Sequence, residues 1–93
     1  TQAIESLLTR LPAEIPPMLI VQHMPAGFTR AFAERLNRAA PMRVIEAAGN
    51  EVLAPGTVYV APGDRHLVVE AFGVQLRTGL REGPPIHYQR PAV

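Results

Sequence analysis

An α/β domain with a mostly parallel sheet is predicted for this 93-residue chain by three features of its sequence. Helix-period and strand-like segments alternate through the first half, the pattern of parallel α/β architecture with right-handed crossovers. The continuous apolar run Met18-Leu19-Ile20-Val21 has the composition of a strand buried on both faces, as in parallel sheets. Beyond residue 48 the texture changes to short β-rich runs broken by Gly and Pro, which adds an antiparallel hairpin. The expected result is three layers, a mostly parallel sheet flanked by helices and extended by a β-hairpin.

In chain order, Ala3, Ile4, Leu7, Leu8 and Leu11 form one apolar stripe at helical spacing over residues 2–11. Pro12 stops that helix, and Ala13-Glu14-Ile15-Pro16-Pro17 reads as an extended connector. Met18–Gln22 is the first strand. Phe28, Phe32, Leu36 and Ala40 recur every fourth residue, a second amphipathic helix closed by Pro41. Met42–Ala47 reads as another strand. Thr57–Ala61, His66–Ala71 and Val74–Thr78 are the later β-runs, and the Phe72-Gly73 gap is a hairpin signal. These later runs are expected to join the parallel strands in one mixed sheet. Gly83-Pro84-Pro85 and Pro91 mark an extended tail, and there is no internal repeat.

Composition narrows the function. Hydrophobic residues make up 47% of the chain, a globular proportion. A chain of this length buries about 60–65% of its unfolded surface, enough for one small domain. Without cysteine there is no disulfide, thiolate nucleophile or Cys-based metal site, which fits a reducing, cytoplasmic compartment. No signal-peptide pattern or run of about 20 apolar residues is present. The net charge of +1 comes with nine dispersed arginines and no lysine, so a nucleic-acid partner is not expected. Arg30, Arg35 and Arg38 are read with Glu34 as a solvated helix face. The chain starts at Thr1 directly in a helical pattern and stops at Val93 with no element closed, so it reads as an internal piece of a longer protein.

Hydrolytic chemistry by a hydroxyl needs a Ser or Thr, a base and a carboxylate to orient the base. Ser6 is the only serine, Asp64 the only aspartate, and the histidines are His23, His66 and His87. Ser6 falls in mid-helix, whereas a nucleophile belongs on an exposed strand-to-helix turn. Asp64 follows Pro62-Gly63, where an aspartate is usually a turn residue. A self-contained triad is therefore rejected. The three histidines lack metal-ligand spacing, so no metal site is expected. No phosphate loop is present, so no nucleotide cofactor is expected either. His23 is the remaining candidate. It follows the first strand, either as an ordinary loop histidine or at the sheet rim where open α/β folds bind ligands.

The chain resembles one family across nearly its whole length. Val21-Gln22-His23-Met24-Pro25, Gly27-Phe28-Thr29-Arg30 and Phe32-Ala33-Glu34-Arg35-Leu36-Asn37 are similar to the catalytic domain of chemotaxis protein-glutamate methylesterases of the CheB type. The likeness continues through Pro55-Gly56, Val58-Tyr59-Val60-Ala61-Pro62-Gly63-Asp64 and His66, then Gly83-Pro84-Pro85 and Arg90-Pro91. The chain departs from the family in having Pro25-Ala26-Gly27 where Pro-Pro-Gly is common. It also reads His87-Tyr88-Gln89-Arg90-Pro91 where an Asn-Arg-His-Arg-Pro-like segment is favoured.

The resemblance implies a Ser-His-Asp hydrolase on a mostly parallel α/β fold that needs no cofactor. It acts on methylated glutamates of methyl-accepting chemotaxis receptors, and many members also deamidate receptor glutamines. His23 falls on the family's catalytic histidine. The nucleophilic serine belongs to a Ser-Thr-Gly-Gly turn expected just before Thr1, and the aspartate is expected beyond Val93. Residues 1–93 are thus expected to be a partial catalytic domain, inactive alone, with room for a receiver domain in the parent protein. A central strand is also expected before Thr1, so its neighbours should show unpaired edges. The alternative is a non-catalytic binding or scaffold module that keeps the methylesterase fold.

Overall fold

The computed structural model describes residues 2–22, 24–25 and 27–81. Among these residues seven elements follow one another: α1 (Gln2–Arg10), β1 (Met18–Ile20), α2 (Phe28–Ala39), β2 (Arg43–Glu46), β3 (Thr57–Val60), β4 (His66–Phe72) and β5 (Gln75–Arg81). β1, β3 and β2 form a parallel sheet in that spatial order, with Met18, Val58 and Val44 in register and Ile20 aligned with Val60 and Glu46.

One face of this sheet carries the core. Val44, Val58 and Val60 pack with Leu8 of α1 and with Phe32, Ala33 and Leu36 of α2, while Ile15 and Met42 close the margins. The predicted helix stripes produce this packing only in part. Ile4, Leu8 and Leu11 turn inward, yet Leu7 is 54% exposed and Phe28 is 62% exposed. Leu7 lies one position off the narrow i, i+4, i+7 line that a short helix buries. Phe28 begins α2, a full turn before the first buried phenylalanine. The Asn37 side chain accepts the Val44 N–H at 2.8 Å, which ties α2 to β2.

β1 is shorter than predicted and is not buried on both faces. Its three residues are half-buried, and Val21 beyond it is 65% exposed. Among the described residues β1 has β3 on one side and no strand on the other. The doubly buried strand is β3, all four residues of which are buried.

Of the later β-runs, Thr57–Val60 joins the parallel strands, whereas the other two form a separate sheet and not one mixed sheet with them. β3 sits at the centre of the parallel sheet, and among the described residues β4 pairs only with β5, antiparallel. The cause lies in residues 50–53, which occupy β5's other edge. Asn50 and Leu53 donate backbone N–H to Thr78 and Leu76 O at 2.7 and 2.8 Å, and Thr78 N–H donates to Glu51 O at 2.8 Å. The hairpin turn is Gly73-Val74, one residue later than predicted. Gly73 has φ 63°, the positive value that a type II′ turn requires at its first position.

Glu51 and Thr78 fasten the hairpin to the rest of the fold. The Glu51 N–H donates to Thr78 Oγ1 at 3.1 Å, and the Thr78 hydroxyl donates back to the Glu51 carboxylate. The same carboxylate accepts the Ala48 and Gly49 N–H groups at 2.6 and 3.1 Å. Burial pushes this carboxyl up, but the Thr78 hydroxyl and the backbone N–H groups outweigh it and hold it below its ordinary value. A depressed carboxylate contributes stability above the unfolded value of 4.5 that is lost as pH falls through the lower folded value.

Glu51→Gln is therefore expected to cost about 1 kcal/mol at neutral pH, after allowance for solvent screening. It should also remove part of the acid limb of a stability-against-pH curve measured by denaturant titration. The unpaired edge of β1 predicts that the isolated 93 residues melt broadly or self-associate. Thermal melts combined with sedimentation check this, and a sharp monomeric transition would contradict it.

Candidate active site

In a parallel sheet the carboxyl ends of all strands meet at one rim, where ligands of open α/β folds bind. Here the ladder extends one residue past the strands, since Ala61 N–H donates to Ile20 O and Ala47 N–H donates to Val60 O, both at 2.8 Å. Three chain segments leave this rim together: residues 21–22 and 24–25 after β1, residues 61–65 after β3, and Glu46-Ala47 at the end of β2.

Thr29 connects all three. It stands in the first turn of α2 with 0% exposure. Its hydroxyl donates to Glu46 Oε2 at 2.5 Å and accepts the Gly63 N–H at 3.2 Å. Gly63 in turn lies against the backbone of Met24 and Pro25. A Cβ built on it would collide with Met24 O and stand 2.8 Å from Pro25 O. Pro25 O also accepts the Phe28 N–H at 3.1 Å as α2 begins. The chain immediately after position 23 is thus clamped between the start of α2 and the turn that follows β3.

His23, the predicted catalytic residue, lies outside the described residues, as do Ala26 and residues 82–93, which include His87 and the Gly83-Pro84-Pro85 and Arg90-Pro91 motifs. Its chain neighbours Gln22 and Met24 are described and half-buried. Met24 lines a cleft of about 320 Å³ with Gln2 and Glu5 of α1 and Phe28, Ala31, Phe32 and Arg35 of α2. The residue next to His23 and the first turn of α1 therefore face the same space. Arg35 pairs with Glu5 at 3.1 Å on the wall of this cleft. The reading of a simple solvated face holds for Arg30, which pairs with Glu34 at 3.6 Å one turn away. It misses Arg35, which bridges the two helices.

The remaining sequence candidates lie on separate elements. Ser6 is in the middle of α1, exposed, with its carbonyl accepting the Thr9 hydroxyl at 2.9 Å. Asp64 is in the exposed turn after β3, and His66 opens β4. Sequence reasoning placed Thr29 and Gly63 in a motif without a role and passed over Glu46. Its only signal is a carboxylate ending a short strand, which by itself says nothing about a partner 17 residues earlier.

Comparison with known proteins places these features in context. The CheB methylesterase family profile matches residues 1–93. A protein-glutamate methylesterase/protein-glutamine glutaminase of Dechloromonas aromatica is 50% identical over all 93 residues, which are 27% of its length. The group 3 operon protein of the same name from Bradyrhizobium diazoefficiens is 46% identical over the same span, 26% of its length. The chain thus spans about a quarter of the curated relatives it matches. The crystal structure of the Thermotoga maritima CheB methylesterase catalytic domain superimposes with a TM-score of 0.87 at 37% identity, covering 97% of this chain and 48% of that one. Matched from end to end in sequence and sharing that domain's backbone, the chain belongs to the CheB methylesterase family.

Proposed function

We propose that residues 1–93 are the histidine-bearing part of a cytoplasmic serine hydrolase that removes methyl groups from glutamate methyl esters, and deamidates glutamines, on methyl-accepting chemotaxis receptors. The observation that supports this most directly is the shared cleft of Met24 and Gln2. It brings the backbone beside His23 toward the beginning of α1, where the family resemblance places the serine.

The chemistry is a two-step acyl transfer. A serine hydroxyl supplied by polypeptide outside Thr1–Val93 gives its proton to the His23 imidazole as its oxygen attacks the ester carbonyl. Collapse of the tetrahedral species breaks the C–OMe bond, and the imidazolium protonates the leaving methoxide to give methanol. Water activated by the same imidazole then releases glutamate. An imidazole with an ordinary pKa of about 6.5 can take and return a proton near neutral pH. The free N–H groups and positive dipole end of α1 stabilise the oxyanion. An aspartate, also from outside this chain, fixes the tautomer of His23. A receiver domain in the parent protein would regulate access to this site.

In the full-length parent enzyme, His23→Ala is expected to lower methyl-ester turnover by about 10⁴-fold or more. Methanol release from methylated receptor fragments measures it, and near-normal turnover would remove His23 from the mechanism. A serine-directed phosphonate should label the parent protein. A folded parent that resists labelling would instead support the non-catalytic scaffold reading. The 93 residues alone should show no hydrolysis of a methyl ester, because their only serine lies in mid-helix on α1.

A further inference from the structure

We infer that Thr29 is a positioning residue for the catalytic histidine loop, holding it through Gly63 and braced by Glu46. The inference rests on the reading of His23 given above. It begins from a side chain that chain position alone does not explain. Thr29 is completely buried in the first turn of α2, a site where a threonine normally meets water or caps its own helix. It does neither. Its hydroxyl proton goes to Glu46 Oε2 on β2 at 2.5 Å, and its lone pair takes the Gly63 N–H at 3.2 Å.

Each link has a separate consequence. The carboxylate fixes the direction of the hydroxyl proton, which leaves an oxygen lone pair free for Gly63. The N–H bond fixes the height of the 61–65 turn above the sheet rim. That turn then presses on the Met24 and Pro25 carbonyls so closely that no Cβ fits at Gly63. Met24 and Pro25 are the first two residues after His23. The only covalent freedom between this clamp and the imidazole is therefore that of one peptide unit and the histidine itself. A general base displaced by about 1 Å loses roughly 10²-fold in rate without losing substrate affinity. A residue that merely stabilised the fold would lower the amount of active enzyme and leave kcat per folded molecule unchanged.

The test uses the full-length parent enzyme with a methylated receptor fragment as substrate. Thr29→Val keeps the shape and removes the hydroxyl. It is expected to lower kcat per folded molecule by about 10–100-fold with KM within about threefold. Thr29→Ser restores the hydroxyl and should recover kcat to within about threefold. Folded protein is quantified by circular dichroism and thermal melting in each case. Wild-type kcat in folded Thr29→Val, or failure of Thr29→Ser to recover activity, overturns the inference. If Thr29→Val does not fold, Glu46→Leu, which removes the acceptor of the Thr29 hydroxyl, decides. A lowered kcat at unchanged KM supports the inference, and an unchanged kcat overturns it. His23→Ala is measured alongside. Normal turnover there defeats the reading of His23, whereas loss of turnover there with normal Thr29→Val defeats the positioning role alone.

Discussion

Burial of β3 is the constraint on which the remaining structure depends. Val58 and Val60 have 0% exposure and face the two helices, and Tyr59 between them is 2% exposed on the opposite face. Each fully buried valine contributes about 1.5–3 kcal/mol relative to exposure. Tyr59 is buried only because its hydroxyl is satisfied, donating to Val52 O at 3.1 Å and accepting the Ala54 N–H at 2.9 Å. That pair of bonds draws residues 52–54 over the sheet. The same stretch then offers its edge to β5. The helical layer, the parallel sheet and the attached hairpin all follow from one strand buried on two sides.

The rim has a different character. Past Ala47 and Ala61 the parallel ladder ends, and backbone groups there must find other partners. The chain meets this need with a buried threonine, a glycine and a carboxylate rather than with more sheet. Polar atoms are therefore concentrated where three loops leave the core. Such an arrangement is costly unless every member is paired, and Thr29 pairs in both directions. Of the motifs that carry the family likeness, Gly27–Arg30 and Ala61–Asp64 contain the buried threonine and the glycine of this rim.

Periodicity made much of the fold legible. Both helices, the parallel character of the first strands and the existence of a hairpin follow from spacing and turn residues, because those signals are local. The misreadings concern neighbours. Met18–Ile20 is more apolar than Thr57–Val60, yet among the described residues only the second has strands on both sides, because strand neighbours are set by topology and not by local composition. The hairpin's separation from the parallel sheet depends on residues 50–53, which contain no strand-like run. Arg35 looks like Arg30 on a charged face, but the approach of α1 gives it Glu5 as a partner. At the site, His23 was singled out by motif resemblance. Residue pattern alone leaves it between an ordinary loop histidine and a ligand position at the sheet rim.

The order of assembly follows from where the rim contacts lie in the chain. Thr29 reaches a carboxylate 17 residues later and a backbone N–H 34 residues later. Closing loops of that length costs conformational entropy that a single hydrogen bond, worth about 1 kcal/mol net, cannot offset. The contacts can therefore form only after β1, β2 and β3 have aligned, when Glu46 and Gly63 are already held near Thr29. The clamp behind His23 is then a product of the sheet, and anything that loosens β3 loosens the clamp as well. A stable strand buried on both faces is for this reason a condition for holding Met24 and Pro25 in place, although none of its four residues lines the cleft.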